Sequence, residues 1–415
     1  MKKTELKQKD IYIPRELEQK IRKYLNKREI VAVVGPRQCG KTTLIKHIFK
    51  DLSKAIFLDF EDRKVLALFD NDIESFVELY VKNYDYLFID EFQYSKEGGT
   101  RLKYIFDNNK IKIIISGSSV SEISIQSIKY LVGRIFIFNL YTLSFSEFLY
   151  YKDEGLYNIF NKNEEFSPEI INSMNRLYNE FIVYGSYPRV VLSKTKEEKE
   201  IVLQNIYNTY LLKEIKEILG LKDDYKISKL IEALSLQIGG LVNYNELCSI
   251  TNLNYNELLS YINILKKTFI IELSKPFYTN KRVELSKNPR IFFIDNGFRN
   301  TSARNFQDIN YRSDRGLLNE NFVSSELIKK EVELNFWRTK SKAEIDFIVK
   351  IGDEVYPIEV KSGLKEMKLG KSLYSFAEKY KTKKVFILSE NLDAVKRTDF
   401  GKAIFKPLFF ISRLF

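Results

Sequence analysis

The sequence predicts a multidomain α/β protein whose N-terminal part is a parallel sheet covered by helices on both faces. Unbroken apolar segments alternate with helical stretches between Arg28 and Leu140, the pattern of strands buried on both sides. A glycine-rich turn ending in Gly-Lys-Thr follows the first of those segments and opens a helix. Finally, 415 residues at roughly 100–200 per domain give two to four domains, and 44% hydrophobic content is enough to fill their cores.

ELEQKIRKYLNK (16–27) spaces Leu17, Ile21 and Leu25 four residues apart, which predicts an amphipathic helix. Strands follow at 28–34, 54–60, 84–91, 112–118 and 134–140, with helices near 72–81 and 100–107, closing a first domain over residues 1–145. From LSFSEFL (143–149) to about residue 220 the chain is polar and helical, a lid or linker over 146–225. Residues 226–285 hold three helical segments, the third being NYNELLSYINILKKT, then FIIELSKPF and KRVELS as two strands around a turn. Three helices and a two-stranded wing are the arrangement of a winged helix. Strand and helix alternate again over 286–415, a second α/β domain: RIFFID (290–295), a helix over 316–330, ELNFWRT, a hairpin through 344–361, a helix over 366–380 and KKVFILS (383–389).

His47 is the only histidine, and Cys39 and Cys248 are the only cysteines. Ser-His-Asp catalysis, His-based metal clusters and disulfide frameworks are therefore excluded. The N-terminus lacks an apolar signal core and no apolar run reaches the ~18–20 residues of a membrane span. The expectation is a soluble, cytoplasmic, reduced protein with no membrane partner.

Gly35-Pro36-Arg37-Gln38-Cys39-Gly40-Lys41-Thr42, with Thr43 next, fits GxxxxGK[ST] directly after a strand and before a helix. Its glycines let backbone N–H groups face phosphates at a helix N-terminus, with Lys41 on the β- and γ-phosphates and Thr42 on Mg²⁺. Tyr86-Leu87-Phe88-Ile89-Asp90-Glu91 supplies a strand ending in acid, Asp90 for the metal and Glu91 for the attacking water. Ser116-Gly117-Ser118-Ser119 ends a third strand, where the hydroxyl of Ser118 is a candidate sensor of the γ-phosphate and plain turn chemistry is the other reading. No guanine-reading NKxD segment stands in the right place, so the nucleotide expected is ATP.

At these residues the chain resembles prokaryotic AAA+-type ATPases with GPRQ-x-GKTT, a hydrophobic-Asp-Glu strand, an SGSS-like segment, LxGR and LSFSEFL. The last two read Leu131-Val132-Gly133-Arg134 and residues 143–149 here. The resemblance continues through YGSYPR, KNPRIFFIDNGF, GLLNENFV and EIDF…IEVKS. It implies ATP hydrolysis and an arginine completing a neighbouring subunit's site in a homo-oligomer. Arg134 is the candidate finger, with a plain surface ion pair as the other reading.

In the C-terminal hairpin, a two-residue turn at Gly352-Asp353 pairs residues whose numbers sum to 705. Ile345 then faces Val360 and Phe347 faces Ile358 on the core side, while Asp346 lies opposite Glu359 and Glu344 opposite Lys361. Two carboxylates across a ladder repel, an arrangement that invites a divalent cation. Pro357 argues for a bulge. Asp346, Glu359-Val360-Lys361 and Glu320 on the preceding helix resemble a PD-(D/E)xK nuclease core, a restriction-endonuclease-like fold. That resemblance implies Mg²⁺ on Asp346, Glu359 and Glu320, with Lys361 activating water. A fold that binds DNA or a protein without cutting is equally open.

The net charge is +12, and residues 286–415 hold 25 Lys+Arg against 17 Asp+Glu, or +8 of it. An anionic partner such as DNA is therefore expected on the C-terminal half, and Tyr255, Asn256, Lys266, Lys267, Lys281 and Arg282 of the winged helix are further candidates for a phosphate backbone.

Overall fold

The computed structural model describes residues 11–117, 130–209, 215–220, 225–278, 287–339, 341, 343–364 and 366–415. It has a mixed α/β fold with an N-terminal parallel sheet and a C-terminal sheet, in two compact units. The first runs from the N-terminus to Leu143 and includes Lys267–Phe269; the second comprises Ser144–Lys266 and Ile270–Phe415. Among the described residues, no helix is long and apolar enough to cross a membrane.

In the first unit, α1 (Glu16–Tyr24), β1 (Ile30–Val34), α2 (Lys41–Lys50), β2 (Ala55–Asp59), α3 (Arg63–Asn71), α4 (Ile73–Tyr80), β3 (Tyr86–Asp90), α5 (Gly98–Asn108), β4 (Lys112–Gly117) and β5 (Ile135–Asn139) follow in order. The strands are all parallel, in the order β2-β3-β4-β1-β5. Val31 and Val33 of β1 pack with Ile21, Leu44, Ile45 and Ile48 of α1 and α2. Ile30, Ala32 and Val34 pack with Phe69, Phe76, Leu102 and Ile105 of α3, α4 and α5. Both faces of β1 are thus covered, which is why its sequence shows no alternation. The short α3, capped by Asp62, is the element that the apolar pattern does not announce.

The second unit opens with α6 (Phe145–Lys152), α7 (Glu154–Lys162), α8 (Pro168–Tyr184), α9 (Pro188–Leu192) and α10 (Lys196–Ile206). Further on come α11 (Tyr225–Leu236), α12 (Tyr244–Thr251), α13 (Tyr255–Lys267), β6 (Ile271–Pro276), β7 (Arg290–Phe293), α14 (Asn296–Ser302) and α15 (Arg315–Lys329). The chain finishes through β8 (Asn335–Arg338), β9 (Glu344–Ile351), β10 (Glu354–Lys361), α16 (Lys371–Tyr380), β11 (Lys384–Ser389), β12 (Ala394–Thr398) and β13 (Gly401–Pro407).

Its sheet has the order β12-β13-β11-β10-β9-β8-β6-β7. The β9–β10 hairpin has the anticipated register, from Glu354 opposite Ile351 to Ile358 opposite Phe347. Pro357 sits in that ladder without a slip, and the bulge falls instead between β8 and β9, at Asn335 to Trp337. The parallel ladder to β11 begins only at Ile358, so Pro357 opens no gap in it. The segment expected to begin a wing is β6, which pairs with β7 and β8 as part of this sheet; KRVELS lies outside the described residues. Phe145, Phe148, Tyr178 and Phe181 of α6 and α8 form a ring cluster with Phe322 of α15 and Phe409.

Lys112, at the start of β4, is buried and donates to the carbonyls of Lys27, at 2.9 Å, and Glu29. Burial brings its pKa down to about 8. Between that value and the ordinary lysine value the unfolded chain carries a proton that the folded chain lacks, so stability rises with pH across this window. Urea melts of Lys112→Met should lose this rise relative to the wild type.

Candidate functional site

Because β1, β3 and β4 are parallel, their C-terminal ends open on the same edge of the sheet, where ligands of such sheets bind. β1 ends at Val34 and the loop from Gly35 to Gly40 leads into α2. Gly40 has φ 99° and caps α2 without a side-chain hydrogen bond, so the helix turns its first amides to the loop with no side-chain acceptor. Gln38, at φ 59°, supplies a second left-handed position. Lys41 is buried and its Nζ donates to the carbonyls of Gly35 (2.9 Å) and Pro36 (2.8 Å). Thr42 is half-buried beside it, while Thr43 is exposed.

Asp90 ends β3, is buried, and accepts from the hydroxyl of Ser116 on β4. Glu91 follows at φ 52°, a left-handed conformation that costs a non-glycine residue roughly 1–2 kcal/mol. Burial raises its pKa, opposed by a hydrogen bond from Gln93 and the charges of Lys41 and Arg37. Glu91 is thus gathered near Lys41 and Arg37, and a strained acid at a sheet edge marks function more often than packing. Ser118 lies outside the described residues; Ser116 is the serine of that segment placed against Asp90.

Arg15 plays a part that the sequence reading missed. Its guanidinium, 7% exposed, donates to the carbonyls of Cys39 (2.8 Å) and Tyr141 (2.7 Å), tying the loop to the segment after β5. Cys39 is buried, and burial raises its thiol pKa. Arg134 precedes β5, at the sheet edge opposite the loop, where it pairs with Asp107 at 2.9 Å. His47 stacks on Tyr12, ring centroids 3.9 Å apart.

In the second unit Glu320 on α15, Glu344 and Asp346 on β9, and Arg290 at the start of β7 line a cavity of about 520 Å³ with Gln237 and Gly239. The β9–β10 ladder stops one pair short of Asp346 and Glu359, and Asp346 Oδ2 instead accepts the N–H of Val360 at 2.8 Å. Glu344 does not meet Lys361: it pairs with Arg290 and, at 3.4 Å, with Arg338. Lys361 lies 3.7 Å from the buried Glu359. Glu320 is held above the usual carboxylate range by burial and then by the charge of Asp346, with Arg290 and Lys361 opposing. Burial and Asp346 also raise Glu359, against Lys361.

Glu320, Asp346, Glu359 and Lys361 therefore share one neighbourhood, with the guanidinium of Arg290 beside Glu320 and Asp346. Arg290 Nη1 lies 4.0 Å from Glu320 and 3.9 Å from Asp346. Among the described residues no group of three or more His, Cys, Asp or Glu side chains stands close enough to hold a metal ion. As arranged, the C-terminal donor set does not fit one. Thr42 at the start of α2 and the buried Asp90 at the end of β3 are oxygen donors of the kind a nucleotide-bound Mg²⁺ takes.

On α13, Lys266 is paired with Glu272 at 2.8 Å and Tyr255 stacks edge-on against Tyr244. Lys281 and Arg282 lie outside the described residues.

Residues 27–149 match the AAA domain family. That match spans most of the first unit. Residues 175–308 and 315–409 match two domains of unknown function, DUF8612 and DUF4143. An uncharacterized protein of Haemophilus influenzae is 26% identical, the match covering 80% of this chain and 82% of that protein. The uncharacterized protein MJ1544 of Methanocaldococcus jannaschii is 24% identical over 77% of this chain and 72% of its own. Among solved structures, the Aeropyrum pernix ORC1 protein in complex with DNA is similar at 12% identity and a TM-score of 0.31, covering 71% of this chain and 94% of that one. A signal transduction ATPase with numerous domains from Pyrococcus horikoshii is similar at 14% identity and a TM-score of 0.27, over 77% and 46%.

Replacing Arg15 with alanine leaves the Cys39 and Tyr141 carbonyls without their charged donor, a loss of about 1.5–3 kcal/mol for such bonds. Urea denaturation of Arg15→Ala should give that destabilisation, and titration with a fluorescent ATP analogue should give weaker binding.

Proposed function

We propose that the protein binds and hydrolyses ATP at the first unit's loop and uses the cycle to control its C-terminal unit. The observation that carries the reading is Lys41, folded back onto two loop carbonyls at an uncapped helix end with Asp90 and Glu91 on the same sheet edge. Neutral carbonyls are a weak partner for a buried ammonium, and phosphate oxygens are a stronger one. In the nucleotide complex Lys41 would leave Gly35 and Pro36 for the β- and γ-phosphates, while the α2 amides and Gly40 cradle the chain. Thr42 and Asp90 would hold Mg²⁺, which neutralises charge on the phosphates. Glu91 would accept the proton of the attacking water, and its burial makes it a stronger base than an exposed glutamate. Ser116 would hold Asp90 in place.

The C-terminal unit is read as a DNA-binding module related to PD-(D/E)xK nucleases. The charge excess of residues 286–415 supports an anionic partner, and Glu320, Asp346, Glu359 and Lys361 share one neighbourhood. Arg290 among those carboxylates favours the non-cleaving reading over the cleaving one. Arg134 would act as a finger for a neighbouring subunit only by giving up Asp107, so the homo-oligomer stays part of this proposal on the resemblance alone.

Two variants separate the steps. Lys41→Ala should abolish ATP binding in equilibrium titration, whereas Glu91→Gln should keep binding and lose about 10²–10⁴-fold in single-turnover hydrolysis. Undiminished turnover in either variant would remove the assignment. Incubation of supercoiled DNA with Mg²⁺ or Mn²⁺ and ATP should leave it uncut while gel shifts report binding; cutting abolished by Asp346→Ala would establish the nuclease instead.

A further inference from the structure

The C-terminal cluster brings Glu320, Glu344, Asp346 and Glu359 into one neighbourhood, and positive charge among its members relieves the repulsion between them. Lys361 serves Glu359 from the rim, its side chain 47% exposed. The interior is served by Arg290, 5% exposed, whose Nη2 pairs with Glu344 and whose Nη1 stands about equally far from Glu320 and Asp346. Nη1 is buried and makes no hydrogen bond. Its position is therefore set by carboxyl groups on three sides and by packing on the fourth, where the guanidinium lies 4.9 Å over the ring of Phe336.

The backbone fixes this placement as well. Arg290 begins β7, and the chain on either side of it is bonded to the segment 240–242: Val242 donates to Pro289 at 2.8 Å and Ile291 to Gly240 at 3.2 Å. Gly239, at φ 72°, lies so near Glu320 that a Cβ there would be 3.1 Å from Oε2. A side chain at position 239 would crowd the Glu320 carboxyl, and glycine leaves it in place.

We propose that Arg290 is the resident cation of this site: its guanidinium takes the place among Glu320, Glu344 and Asp346 that a divalent ion would need, so the C-terminal unit works without a metal. A dication and a guanidinium repel at these separations and cannot share the three carboxylates. The inference rests on reading Glu320, Asp346 and Glu359 as one site, and it assigns to Arg290 the role of deciding what that site accepts. It is independent of ATP hydrolysis in the first unit.

Mn²⁺ binding, followed by water-proton relaxation on the full chain without nucleotide, tests it in the wild type, Asp346→Asn, Arg290→Met and the double variant. Wild type and Asp346→Asn should bind Mn²⁺ alike. Arg290→Met should bind one Mn²⁺ per chain more than the wild type, at least ~10–100-fold tighter than any Mn²⁺ binding the wild type shows, the scale on which a metal site's neighbours tune it, and the double variant should lose that gain. Wild-type binding that disappears in Asp346→Asn would overturn the proposal, because a metal would then enter with Arg290 in place. A folded Arg290→Met that gains nothing would overturn it differently, by showing that the carboxylates are no cation site at all. Arg290→Gln, of similar polarity and shorter reach, carries the same comparison if the methionine variant does not fold.

Discussion

Charge withdrawn from water must be met by acceptors or by opposite charge, and this constraint organises both units. Lys41 and Arg15 are buried beside the same loop and are met by backbone carbonyls. Arg290 is met by carboxylates. Elsewhere in the second unit Arg299 is met by Asp314 at 2.6 Å and by the carbonyl of Ser235 at 2.7 Å. Each pairing fixes a stretch of backbone that apolar packing alone would leave free to slide, because a buried charge without its partner costs several kcal/mol.

The two kinds of partner suit different tasks. Carbonyls satisfy an ammonium but do not neutralise it, so the loop around Lys41 keeps a positive field open to an anion. Carboxylates neutralise a guanidinium, so Arg290 offers no comparable field to an anion. A parallel sheet supplies the first arrangement almost without further help, since its strand ends and helix N-termini converge on one edge. The second arrangement needs an antiparallel hairpin, a helix and the start of another strand brought together from distant parts of the sequence.

That difference explains what was legible in the sequence. The candidate loop is contiguous and its acid lies at the end of an apolar strand, so the gathering of Lys41, Asp90 and Glu91 on one sheet edge could be read from spacing. The hairpin register followed from Gly352-Asp353 alone, through the period of two. Its far end did not: the ladder stops at Ile358 because Asp346 turns its carboxylate to the N–H of Val360, a choice between a ladder bond and a charge-assisted one that no periodicity records. Pro357 proved harmless because its neighbour on β11 is paired only from the next residue onwards. Arg15 and Arg290 escaped because their partners are remote, 126 residues away for Tyr141. A trace of Arg290 existed all the same: a lone arginine opening the buried strand RIFF has to be paired by something.

A divalent ion tells the two sites apart. A crystal grown with Mn²⁺ and a non-hydrolysable ATP analogue, measured for the anomalous signal of manganese, reads both units at once. The predicted result is a peak beside Thr42 and Asp90, with Lys41 moved from the Gly35 and Pro36 carbonyls to phosphate oxygens, and no peak among Glu320, Asp346 and Glu359. A peak between Asp346 and Glu359, or a nucleotide bound away from Lys41, would contradict it.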